Sequence, residues 1–184
     1  MVAMAKMIDD ELLAERFRRG DESAFERIVE QYSADVVALA NRLLGWPGEV
    51  EDITQDIFLA AFVGLKKFRC DCSLKTWLFT ITINKCRSYR YKRMLHLRRF
   101  SRAVDKVARS ADKTPMDTED FNCVRRAVAA LPVKYREPVI LRYLQELPTD
   151  QISRILGIST NTLQVRLSRA REHLRQGLAE LVEK

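Results

Sequence analysis

Long apolar runs are missing from this 184-residue chain. No stretch approaches the 18 or so consecutive apolar residues that a membrane helix needs, and no early run suits a signal peptide, so a cytoplasmic protein without membrane insertion is expected. Cysteine is scarce: Cys70, Cys72, Cys86 and Cys123 are too few and too unevenly spaced for a disulfide scaffold. Histidine is scarcer still, and both His96 and His173 lie in basic segments. No nucleophile stands beside a base, no glycine-rich loop offers to cradle a phosphate, and no His/carboxylate cluster suggests a metal. The chain is therefore expected not to be an enzyme and to need no cofactor. Sustained period-two alternation is absent as well, which argues against strands. There is no internal repeat and no low-complexity tract.

What remains is apolar spacing of helical period and charge of uneven sign. Net charge is +7, and 47% hydrophobic residues suffice for two small cores. From Lys85 to Arg109 ten lysines and arginines face only Asp105, whereas in residues 1–60 thirteen acids outnumber six bases. One end suits a polyanion and the other a basic or polar partner.

Helices are expected over 8–19, ended by Gly20, then from a cap at Asp21 with Phe25, Ile28 and Val29 inward, then from Ser33 to Leu44 with Val36, Val37, Ala40, Leu43 and Leu44 inward. Gly45-Trp46-Pro47-Gly48 breaks the chain, and a helix over about 49–67 follows. FRCDCS reads as a loop, 74–83 as a helix, and a basic helix starts near Lys85 and extends to about Arg109. Residues 110–120, SADKTPMDTED, are polar and read as a linker. Beyond it come a helix over about 118–130, another opened by Pro132, and a connection ended by Leu147-Pro148. Pro138 lacks an amide donor and should loosen or kink the helix around it.

Residues 149–175, TDQISRILGISTNTLQVRLSRAREHLR, have the form of a helix-turn-helix. Ile152, Ile155 and Leu156 share a face, Gly157 sits where a positive φ is wanted, and Ser159 and Thr160 offer hydroxyls as caps. In the second helix Leu163, Leu167, Ala170 and Leu174 point inward, leaving Asn161, Gln164, Val165 and Ser168 opposite them, flanked by Arg166 and Arg169. Glutamine suits adenine, valine a thymine methyl, and arginine guanine or phosphate. The alternative is a helical hairpin whose arginines are merely solvated.

The helix over 49–67 has two faces. Val50, Ile53, Ile57, Ala60 and Ala61 form a core side, while Asp52, Gln55, Asp56, Leu59 and Val63 share a second arc that mixes acids with apolar groups. Either that arc meets a neighbouring helix or it docks a large, partly basic protein.

Four blocks in register, GDESAFERIVEQY, EDITQDIFLAAF, SLKTWLFTITINKCRSYRYKR and LPVKYREPVILRYLQELPTDQISRILGISTNTLQVRLSRAR, resemble a bacterial RNA polymerase sigma factor of the extracytoplasmic-function (ECF) class. The resemblance runs from about residue 10 to 180. It implies an all-α protein of two small helical domains joined by a flexible linker: 1–97 a region-2-like domain that binds polymerase and reads and opens the minus-10 element, 98–119 a basic and polar linker, and 120–184 a region-4-like helix-turn-helix that reads minus-35.

Carried over by motif position, Asp52, Gln55, Asp56 and Leu59 would bind core RNA polymerase. The segment around Asn84 corresponds to the loop that captures an unstacked minus-10 base, with Lys85, Arg87, Ser88, Arg90 and Tyr91 on the helix after it; the alternative for Asn84 is a helix cap. Trp77 and Phe79 either stack on bases or belong to the core, and the core is favoured for Trp77. For minus-35 the resemblance points to Thr160, Asn161, Gln164, Val165, Arg166, Ser168, Arg169 and Arg171, with Arg169 assigned the base contact. Here the chain departs from its family: Asn161-Thr162-Leu163-Gln164-Val165-Arg166 stands where Gly-Thr-Val-Lys-Ser-Arg is usual, which alters two groove-facing positions. The class also implies promoter DNA and an anti-sigma factor as partners.

Two other classes compete: an autonomous helix-turn-helix regulator and a nucleic-acid-processing enzyme. A simple regulator has no need of the acidic, partly apolar helix. Cys70 and Cys72, with Cys86 and His96 downstream, are only weak metal candidates, since their spacing matches no compact CxxC pair.

Overall fold

The computed structural model describes Val2–Gly45, Val50–Phe100 and Glu119–Val182. These residues form helices α1 (Val2–Arg18), α2 (Ser23–Leu44), α3 (Val50–Leu65), α4 (Leu74–Phe100), α5 (Glu119–Ala130), α6 (Val133–Val139), α7 (Thr149–Leu156) and α8 (Thr160–Val182), with no strand among them. They divide into two compact units, one built on Met1–Tyr89 with Arg154–Gly157 and the other on Arg90–Ser153 with Ile158–Lys184. The end of the basic helix expected near Arg109 and the linker over 110–120 fall outside the described residues.

The first unit is organised by α2. Ala24, Ile28, Tyr32, Val36, Leu39 and Leu43 recur at helical spacing, and all are buried. The break expected at Ser33 does not occur, because Tyr32 carries the buried stripe across it and Ser33 is itself partly covered within a 22-residue helix. Gly45 ends α2 at φ 68°, donating its N–H to the Asn41 carbonyl at 2.8 Å. Phe17, Phe25 and Phe62 meet at centroid distances of 5.1–5.8 Å and tie α1, α2 and α3 together.

One buried charge lies in this core. Asp10 of α1 is 2% exposed and accepts hydrogen bonds from the Tyr32 hydroxyl at 2.6 Å and from the Leu74 amide at 2.9 Å. The Leu74 amide opens α4, so the carboxylate satisfies an N–H that the helix cannot, and its charge suits that helix end. Burial, and next the bond to Asp10, push the Tyr32 phenol well above its ordinary pKa, which keeps it a donor.

In the second unit Ile140, Leu141, Ile152, Leu163 and Ala170 are fully buried, and α8 packs against α5 and α6. Pro132 opens α6 as expected. Pro138 is accommodated inside α6, which runs on into a π-helical turn over Ile140–Leu144, where the Gln145 amide reaches back five residues to the Ile140 carbonyl at 3.0 Å.

Candidate functional site

Three surfaces carry the residues singled out in the sequence. The first is the outer face of α3. Val50, Ile53, Ile57 and Ala61 are buried, which leaves Asp52, Gln55 and Asp56 in solvent, with Leu59 64% and Val63 68% exposed. Among the described residues, no neighbouring helix of the unit covers Leu59 and Val63. Asp52, Gln55, Asp56 and Leu59 rim an open groove of about 530 Å³, with Ile53 and Tyr89 of α4 completing its walls. Reading the sequence missed Tyr89. The available signal was an aromatic embedded in a run of cations. The groove offers carboxylates at a helix face beside exposed aliphatic carbon, a combination suited to a partner that is both basic and apolar.

The second surface is the middle of α4. Asn84 lies inside a continuous 27-residue helix, so it belongs neither to a loop nor to a cap. Both expectations for its backbone are corrected, because buried Ile83 and Cys86 carry the core stripe across the position where the two helices were expected to part. Asn84, Ser88 and Tyr91 are exposed and recur at i, i+4 and i+7, so they form one outward stripe. Exposed Lys92 and half-buried Lys85 flank one side, with half-buried Arg87 on the other, whereas Arg90 is turned away from the stripe and pairs with the buried Glu137 carboxylate at 2.9 Å. An aromatic, an amide and a hydroxyl bordered by cations can stack a base, bond its edge and neutralise phosphate. Tyr91, 60% exposed, is the aromatic available for this.

The other two candidates serve packing. Phe79 is 1% exposed, which rules it out as a stacking platform, and the Lys75 ammonium sits 5.4 Å from its centroid. Trp77 is half-buried against Phe68, with ring centroids 5.0 Å apart, and a Cβ at Gly64 would stand 3.1 Å from its ring. Glycine at 64 therefore lets α3 approach that indole.

The loop before α4 holds Cys70 and Cys72, both half-buried, and Ser73, whose hydroxyl accepts the Thr76 amide at 3.2 Å as an N-cap. Burial pushes both thiols up in pKa, only partly offset at Cys70 by Arg18, whose guanidinium lies 3.9 Å from the sulfur. Cys70 takes φ 57°, a left-handed conformation that glycine adopts without cost. No group of three or more His, Cys, Asp or Glu converges among the described residues, so a metal held here would have two thiolates and no third such protein ligand.

The third surface is the helix-turn-helix. Gly157 has φ 65°, and the Ile158 amide returns to the Ser153 carbonyl at 3.1 Å, closing α7 as expected of a glycine turn. Ser159, rather than Thr160, provides the cap of α8 by accepting the Thr162 amide at 3.2 Å. Leu163, Leu167 and Ala170 are buried and Leu174 half-buried. Thr160, Asn161, Gln164, Val165, Ser168, Arg169 and Arg171 are exposed, and Arg166 is half-buried. Glu172 continues the outward stripe one turn beyond Ser168, paired with Arg175 at 3.1 Å.

Residues 28–95 match the family described as Sigma-70 region 2, and residues 121–174 match Sigma-70, region 4. The chain is 32% identical to the ECF RNA polymerase sigma factor SigW of Bacillus subtilis over 89% of this chain and 94% of that protein. It is 27% identical to the ECF RNA polymerase sigma-E factor of Escherichia coli, covering 98% of this chain and all of the other. Among solved structures it resembles the sigma factor RpoE of Bartonella quintana in complex with the anti-sigma factor NepR (TM-score 0.71, 26% identity, 84% of this chain and 96% of that one). It also resembles CnrH in complex with the cytosolic domain of CnrY (TM-score 0.68, 27% identity, 94% and 98%).

Proposed function

This chain belongs to the ECF class of RNA polymerase sigma factors, and we propose that its three exposed surfaces divide the work of promoter-specific initiation among them. The outer face of α3 binds core polymerase through Asp52, Gln55, Asp56 and Leu59, with Val63 and Tyr89 extending the contact. The α4 stripe of Asn84, Ser88 and Tyr91, bordered by Lys85, Arg87 and Lys92, holds the opened minus-10 strand, while Arg90, paired with Glu137, supports the helix from behind. The α8 face from Thr160 to Arg171 reads minus-35 in the major groove. Residues 1–97 act as the polymerase-binding and melting domain, 98–119 as the linker and 120–184 as the upstream reader. The protein works in the cytoplasm and has no catalytic centre of its own, since polymerase supplies the chemistry. By analogy with the relatives whose structures contain anti-sigma factors, one such partner holds this chain inactive by covering the polymerase-binding face.

The observation that carries the reading is the α3 arc. Two carboxylates, an amide and two aliphatic side chains stand in solvent on a helix whose other side is fully packed. An autonomous DNA-binding regulator has no use for such a surface. Reversing both charges, Asp52→Arg with Asp56→Arg, is expected to weaken core polymerase capture at least tenfold, about 1.4 kcal/mol or more. Retention of the variant by immobilised core polymerase at native affinity would overturn the assignment. Tight promoter binding by the isolated chain, with no transcript in a reconstituted reaction, would favour the autonomous regulator.

A further inference from the structure

The loop before α4 carries Cys70 and Cys72, which serve none of the three surfaces. Cys70 takes φ 57°, a conformation that a residue with a Cβ adopts only against steric resistance, and the chain bends at both Asp71 and Cys72. Both cysteines are half-buried and so within reach of small solutes. Cα atoms two positions apart in a chain stand at most about 7 Å from each other even when it is fully extended. A bent segment falls within the range of about 4.4–6.8 Å that a disulfide spans. The Arg18 guanidinium, 3.9 Å from the Cys70 sulfur, favours the thiolate that begins such a reaction. Burial keeps both groups mainly as thiols, so the reduced pair is the resting form.

We infer that Cys70 and Cys72 are a reversible oxidation site, closing to a disulfide within the loop with a low-molecular-weight disulfide as oxidant, and thereby loosening the start of α4. The Cys70 thiolate attacks one sulfur of the oxidant, forming a mixed disulfide and expelling one small thiolate, which takes up a proton. The Cys72 thiolate then attacks the Cys70 sulfur and expels the second. Two electrons and two protons pass from the protein dithiol to the oxidant, which leaves as two thiols. In a reducing compartment a disulfide of this kind is transient and serves sensing rather than scaffolding.

The position of the pair gives the oxidation its consequence. Ser73, the next residue, caps α4: its hydroxyl accepts the Thr76 amide at 3.2 Å and its carbonyl the Trp77 amide at 3.1 Å. The Leu74 amide that follows is held by Asp10 at 2.9 Å. A disulfide between residues two apart closes a small ring with backbone angles of its own, so the path into Ser73 shifts and these bonds weaken. Asn84 and Ser88 lie further along the same helix, and oxidation should therefore weaken their hold on an opened strand. That last step rests on the reading of the α4 stripe, whereas the oxidation site does not. Cys86 is fully buried and Cys123 lies on α5 in the other unit, so both serve as internal references.

The test treats the full chain with oxidised glutathione, alkylates it, and weighs it intact and as peptides. The native chain should lose two hydrogens, shield Cys70 and Cys72 from alkylation, carry no glutathione there, and revert with dithiothreitol. Cys70→Ser and Cys72→Ser should each retain a glutathione adduct on the cysteine that remains. Amide hydrogen exchange over residues 74–77 should be about threefold or more faster in the oxidised chain, with exchange over α2 unchanged. In holoenzyme assembled from core polymerase, the oxidised chain should hold an opened-strand probe, selected from a randomised pool by the reduced holoenzyme, about threefold to tenfold more weakly. The double variant Cys70→Ser with Cys72→Ser should be indifferent to glutathione in both readouts. Stable glutathione adducts on Cys70 or Cys72 of the native chain, or disulfides between two chains in place of the internal one, would overturn the inference. So would a disulfide that leaves exchange over 74–77 unchanged. Faster exchange with strand binding at the reduced level would leave the inference standing and overturn the reading of the α4 stripe.

Discussion

At the scale of single residues, the chemistry that matters most for folding is hidden in side chains that look ordinary in one dimension. Asp10 stands among neighbouring acids near the start of the chain, yet it is buried and bonded to Tyr32 and Leu74. Nothing in a linear reading separates a buried carboxylate from a solvated one, because the partners lie 22 and 64 residues away. Replacing Tyr32 with Phe keeps the ring and removes a donor to a buried charge. The expected loss of stability is about 1–3 kcal/mol, measured by urea unfolding, and a loss below about 0.5 kcal/mol would show that the bond contributes little. Cys70 and Glu146 were equally illegible as backbone positions. Both have positive φ, 57° and 53°, where a glycine would have announced the turn. By contrast Asp52, Gln55, Asp56 and Leu59 were legible, since helical period alone placed them opposite a core stripe.

At the scale of elements, what the sequence disclosed well was each helix with a strong terminator. Gly45, Gly157 and Pro132 ended or opened helices where expected. What it concealed was continuity. α2 passes Ser33 and α4 passes Asn84 because burial of Tyr32, Ile83 and Cys86 outweighs the weak local preference of a polar residue for a helix end. The corner between α1 and α2 is held by Asp21, whose carboxylate accepts from the Ser23 hydroxyl at 2.6 Å and amide at 3.1 Å and pairs with Arg16 at 2.7 Å. The Ser23 bond first, then Arg16, hold its pKa below the ordinary 3.8. A depressed carboxylate contributes its stability above the ordinary value and loses it as pH falls through the folded one. Asp21→Asn should therefore be less stable than the native chain at pH 7, and the two should converge as pH drops below 3.8. A gap that stays constant down to pH 2 or so would contradict this, because protonation would then change nothing.

At the scale of the whole molecule, charge is the most legible property, with acids gathered in residues 1–60 and bases from Lys85 onward. That asymmetry separates two affinities that should respond differently to salt and mutation. Lys85→Gln with Lys92→Gln should flatten the dependence of log promoter affinity on log salt by about 1.5, near 0.7–0.9 for each counterion no longer released. Core polymerase capture by the same variant should be unchanged. An undiminished salt slope would remove those two lysines from the DNA-facing surface. The division into two helical regions was also readable, from a polar stretch between two apolar-periodic stretches, whereas Tyr89 was not, because it reaches the α3 groove from a helix remote in sequence. The unbroken length of α4 has a mechanical consequence. At about 1.5 Å per residue, Asn84 stands roughly 15 Å and Tyr91 roughly 25 Å from Leu74, so a tilt of about 5° at that anchored end would carry Tyr91 some 2 Å sideways. The helix is a pointer, and the buried carboxylate of Asp10 at its base sets the aim of the residues at its far end.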